Sequence, residues 1–170
     1  MMDRRAFMRL GAAGALAAGV GDARAAPGAS SAGAAAAEPP ADVTLTIAPV
    51  TVEFSPNLTF STIGYNGTSP GPVLRMREGV PQIVEVVNDT DAPEQLHWHG
   101  LCLPSELDGA DEEGTPPVPP RSRRRFHFTP TPAGTRWYHT HTMAMADLHR
   151  GSYTGQFGFL LVEGRHEPGA

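Results

Sequence analysis

From Val43 onward the chain is built of short runs in which apolar and polar residues alternate. Residues 43–47 read Val-Thr-Leu-Thr-Ile, 73–77 alternate again, and 83–87 form a denser apolar strand. A period of two is that of a β-strand with one face buried. Further strand-like runs fall at 60–67, 95–101, 124–129, 135–141 and 157–163. Turn signals separate them, among them Pro70-Gly71-Pro72 and Glu78-Gly79. Only residues 143–149, rich in Met and Ala, suggest a short helix. Seven or eight strands over about 120 residues, with no long 3.6-residue period, predict an all-β Greek-key sandwich or barrel. This single domain spans 43–163, with no internal repeat, and a polar tail follows at 164–170.

The texture before Val43 is different. A twin arginine, Arg4 and Arg5, precedes a weakly apolar stretch that runs to Val20, and Ala23 and Ala25 place small residues where a signal peptidase reads. Residues 1–25 therefore read as a twin-arginine signal peptide cleaved after Ala25. The apolar run is too short and too rich in glycine for a membrane span. Export of this kind carries proteins already folded, often with the cofactor loaded, and implies a periplasmic or exported protein. Residues 26–42, rich in Ala, Gly, Ser and Pro, read as a linker.

Charge narrows the partners. The formal net charge is −5, and all 13 basic residues are Arg. Losing the leader removes four Arg and two Asp and takes the charge to −7. An acidic chain is a poor nucleic-acid binder, and the run Arg121–Arg125 reads as a solvated turn entering a strand. The one cysteine, Cys102, rules out an intrachain disulfide and reads as a small buried thiol.

The chemistry lies in two histidine pairs, His97-Trp98-His99 and His139-Thr140-His141. On a strand the members of each pair share a face, about 7 Å apart. That spacing is long for chelating one ion and suits two neighbouring metals, each completed from another strand. Imidazole suits Cu, Zn, Fe and Ni. One His-x-His is weak evidence. Two, each set among aromatic residues, point to metal, because imidazoles clustered without a ligand are costly to bury. Met143, Met145 and His149 offer a softer donor set, though gap-filling methionine in a short helix is the simpler reading. His127 reads as a surface residue, and His166 lies in the tail.

Four segments carry a resemblance: Tyr65–Gly79 (YNGTSPGPVLRMREG), Leu96–Gly109 (LHWHGLCLPSELDG), Ala133–Thr142 (AGTRWYHTHT) and Gly155–Glu163 (GQFGFLLVE). In this order they resemble the first cupredoxin (plastocyanin-like) domain of the multicopper oxidase family, the laccases and bacterial copper oxidases. The resemblance implies a cupredoxin-like fold and a share in a trinuclear copper cluster that reduces O2 to water. Eight histidines hold that cluster, four of them from the first domain. By position, His97 would bind the type 2 copper, His99 and His139 one type 3 copper, and His141 the other. Asp108, nine residues after His99, matches a family carboxylate that helps relay protons, although a turn Asp before Gly109 would look the same.

The family's type 1 copper site, a Cys flanked by His with a further His and Met, has no counterpart in this sequence. The expected function is thus the copper-binding first domain of a multicopper oxidase, truncated or split from a second half. A stand-alone periplasmic copper-binding or storage protein without catalysis is the alternative. Two copies facing one another could also supply eight histidines. A cupin-type metal enzyme fits less well, since it expects a Glu after the first pair and a lone later His.

Overall fold

The computed structural model describes residues 38–143 and 150–165. The leader, residues 26–37 of the linker, residues 144–149 and residues 166–170 lie outside it, and with them Met145, His149, His166 and most of the suggested helix.

Eight strands are present among the described residues: β1 (Val43–Ser55), β2 (Leu58–Tyr65), β3 (Leu74–Arg77), β4 (Gln82–Asn88), β5 (Leu96–His99), β6 (Ser122–Phe128), β7 (Gly134–Thr140) and β8 (Phe157–Glu163). They form two four-stranded sheets with the orders β2-β1-β4-β6 and β3-β8-β7-β5. β1 runs parallel to β4, and β3 to β8; the other pairs are antiparallel. From β2 to β7 the chain changes sheet at every connection except that from β7 to β8, which pair directly. The architecture is the all-β, cupredoxin-like sandwich expected.

Alternation decides what the sheets bury. Leu45 and Ile47 of β1, Val84 and Val86 of β4, and Phe126 and Phe128 of β6 point inward from one sheet. Leu74 and Met76 of β3, Leu96 and Trp98 of β5, Tyr138 of β7, and Leu160 and Val162 of β8 point inward from the other. Trp98 is fully buried, with its ring 5.1 Å from Phe128 and 5.9 Å from Phe126. Tyr138 donates its hydroxyl to the Pro72 carbonyl at 2.7 Å. The neighbouring strand can approach this ring only at a glycine, since a Cβ at Gly158 would fall on the Tyr138 hydroxyl.

Several local expectations need correction. β1 is longer than the run 43–47: the alternation Val50, Val52, Phe54 continues it into a hairpin with β2. The described residues also hold two short helical elements that the pattern did not predict, one α-turn, α1 (Ser105–Asp108), and a 3-10 turn at Ser152–Thr154. Cys102 is exposed, not buried. Leu101 takes the inward position after Gly100, and the Cys102 N–H is held by the Thr131 carbonyl at 2.8 Å. Met143 is 70% exposed, so it fills no gap. Of the linker, Asp42 and Pro39 are tied to the first sheet: Asp42 exchanges two hydrogen bonds with Ile83, and the Pro39 carbonyl accepts from Arg125. His127 is exposed, as predicted.

Candidate metal centre

β5 and β7 are antiparallel neighbours, with β5 at the edge of its sheet. Their register sets His97 opposite His139, and His99 opposite Trp137. Because Leu96, Trp98, Tyr138 and Thr140 turn inward, the histidines occupy the face turned away from the core. His141 follows directly after β7. The four rings gather there: the His97 centroid lies 5.4 Å from His99, 5.1 Å from His139 and 5.4 Å from His141. His97, His99 and His139 each offer a ligand atom, and these atoms lie within 4.8 Å of one another.

Hydrogen bonds orient two of the rings. His97 Nδ1 lies 2.9 Å from both the Asp108 carbonyl oxygen and Asp108 Oδ2. His139 Nδ1 lies 2.8 Å from the Thr140 carbonyl. Carbonyl and carboxylate oxygens only accept, so Nδ1 carries the proton in each ring and Nε2 keeps its lone pair. His139 Nε2 faces His99 Nδ1 at 3.4 Å. The His139 ring also stacks on Trp137, with centroids 4.1 Å apart. For His141, Glu112 Oε2 stands 3.3 Å from Nδ1, within ion-pair range, but the geometry makes no hydrogen bond and Nδ1 is buried without a partner.

Asp108 reaches His97 from the end of α1. Gly109 caps that turn at φ 94°, and its N–H donates to Thr115 Oγ1, which in turn donates to the Ser105 carbonyl. The structure thus joins Asp108 to His97 and brings the four predicted histidines together. Sequence reasoning missed Glu112 and also Glu94, which is fully buried. Glu94 accepts from Gln156 Nε2 at 2.9 Å and from Arg150, and Thr140 and Thr142 stand 3.5 Å away. Burial raises its pKa, against the Gln156 and Arg150 contacts. Its parity with Leu96 and Trp98 was a readable sign that it points inward.

Burial lowers the His139 pKa from the ordinary 6.5; the Thr140 hydrogen bond opposes this, and the other three histidines add to it. Above 6.5 the group is neutral in both folded and unfolded chains and has no effect on stability. Below 6.5 the unfolded chain takes the proton first, and stability falls until the folded pKa is passed. The Tm of metal-free protein should therefore drop as the pH falls below about 6.5, and drop less in His139→Ala. Superimposable pH profiles from thermal melts of the two proteins would contradict this assignment.

Comparison with known proteins supplies the family. The multicopper oxidase family model matches residues 46–167. The chain belongs to the multicopper oxidase family. Copper resistance protein A of Pseudomonas syringae pv. tomato is 33% identical over 100 residues, which is 59% of this chain and 15% of that protein. Multicopper oxidase MmcO of Mycobacterium tuberculosis is 32% identical over 109 residues, 64% of this chain and 20% of that one. Among solved structures, the multi-copper oxidase of Pseudomonas thermotolerans superposes with a TM-score of 0.66 at 35% identity, over 76% of this chain and 32% of that one. The blue copper oxidase of Nitrosomonas europaea gives 0.66 at 27%, over 75% and 40%. The chain thus spans about a fifth or less of these two curated relatives.

Copper is the cofactor this family implies, and the donor set fits it. Imidazoles converge on one face, three of them with ligand atoms within 4.8 Å of one another, and no described Arg pairs with them. No described helix is long and apolar enough to cross a membrane.

Proposed function

We propose that this chain supplies one half of a multinuclear copper site, with His97, His99, His139 and His141 as its ligands. The observation that carries the reading is the convergence of four imidazoles on the outward face of β5 and β7, with Nδ1 of His97 and His139 already occupied. Copper bound there, as type 2 and type 3 ions, would supply the redox chemistry of O2 reduction once a second set of ligands completes it. Asp108 holds His97 Nδ1 and so fixes which nitrogen faces the metal; its carboxylate is also placed to hold a proton beside the site. His139 is held in the same way by the Thr140 carbonyl.

The second half comes from another cupredoxin domain, in a longer or separate chain, or from a second copy of this one. The outward face supports a covering partner, because Trp137 and Phe157 continue the cluster there and Phe159 is 56% exposed. The one cysteine stands outside both histidine pairs, so the chain alone should show no intense blue colour and no O2-dependent oxidation of phenols. Turnover by the isolated chain would contradict the half-site.

The direct test counts copper in purified protein. Wild type should retain copper after desalting, and His97→Ala should lose part of it; equal retention would remove His97 from the ligand set. Export is proposed as well, from the twin arginine. The exported protein should begin at Ala26 by mass spectrometry, and the double replacement Arg4→Lys, Arg5→Lys should hold the precursor in the cytoplasm. An unprocessed N-terminus on exported protein would count against this leader.

A further inference from the structure

A second group of donor atoms adjoins the cluster and shares only His141 with it. A cavity of about 240 Å3 opens there, lined among others by Gln95, Asp111, Glu112, His141, Thr142 and Met143.

Three observations bear on its use. First, His141 is not one of the trio whose ligand atoms lie within 4.8 Å of one another, although its ring centroid is 5.4 Å from that of His97. Second, its Nδ1 is buried and unpartnered, whereas Nδ1 of His97 and His139 are both engaged. Glu112 Oε2 stands 3.3 Å away, but no hydrogen bond fixes which nitrogen this ring presents. Third, the wall mixes three donor types. Met143 offers a thioether from a side chain that packs against little, Glu112 a carboxylate 3.3 Å from the ring, and His141 the imidazole. Among the described residues no Arg lines the cavity.

We propose that this cavity is the entry site through which copper reaches the cluster. Glu112, Met143 and His141 take up one Cu(I) ion from solvent, and a turn of the His141 ring passes it inward. The ion stays Cu(I) throughout, so no electron donor is needed. The thioether is the donor that selects Cu(I), and imidazole suits copper. Asp111 and Glu112 raise the local concentration of cations at the mouth. The volume admits an ion still carrying several waters, each of which occupies about 30 Å3. The inference rests on the reading of the four histidines as copper ligands.

The test uses the whole metal-free chain, mixed without oxygen with the acetonitrile complex of Cu(I). The reaction is stopped at intervals by excess Cu(I) chelator, and copper out of the chelator's reach is counted. The double variant Glu112→Gln, Met143→Leu should reach the wild-type copper content, but at least about tenfold more slowly, the scale of an electrostatically assisted entry. Equal rates would overturn the entry site and leave the cluster reading intact. A lower final content, at any rate, would also overturn it, since the two residues would then be cluster ligands. A wild-type chain that retains no copper would overturn both readings.

Discussion

Copper binding by His139→Ala should weaken by more than about 100-fold, beyond the 10- to 100-fold that partners outside the metal's own ligands are worth. The expectation comes from the position of this ring. It is opposite His97 in the strand register, its Nε2 faces His99 Nδ1, and its Nδ1 is fixed by the Thr140 carbonyl. The fold should survive, since the ring lies outside the core and takes up a proton less readily than in the unfolded chain. Competition titration with a copper chelator reads the affinity, and circular dichroism checks the fold. Wild-type affinity in a folded variant would take His139 out of the site.

Gly109→Ala should damage stability and site together. At φ 94° the residue lies where L side chains are strained, and its Cβ would fall on the Leu96 carbonyl oxygen and against the His97 backbone. Strain and overlap with backbone together cost about 3 kcal/mol or more, a fall in Tm on the order of 10 °C. Relief can come only from a shift of α1 away from β5, which carries Asp108 off His97 Nδ1. Copper affinity should then fall about 10- to 100-fold. Asp108→Asn separates the two effects, because it keeps the backbone and changes only the acceptor. An unchanged Tm in Gly109→Ala would show that the turn after α1 is not held as described.

The shared face of each histidine pair was legible because strand parity is a local property, but which face turns toward the core was not. The cross-strand pairing of His97 with His139 was not legible, since register is fixed by contacts distant in sequence. Cys102 was misread as buried; Gly100, at φ 87°, turns the chain out of β5 and leaves the thiol exposed. Glu94 was readable by parity and overlooked as a polar residue, but its partners Gln156 and Arg150 lie more than fifty residues away. The outer half of β1 was readable too. Its residues are largely exposed, Phe54 at 74% among them, so the alternation there marks a hairpin and not a core strand.

X-ray absorption at the copper edge of the loaded wild-type chain tests the four-imidazole site most directly. The spectrum should carry the multiple scattering of imidazole rings, diminished in His139→Ala, and no thiolate sulfur. Sulfur from Cys102 in the copper shell, or a spectrum indifferent to the loss of His139, would contradict it.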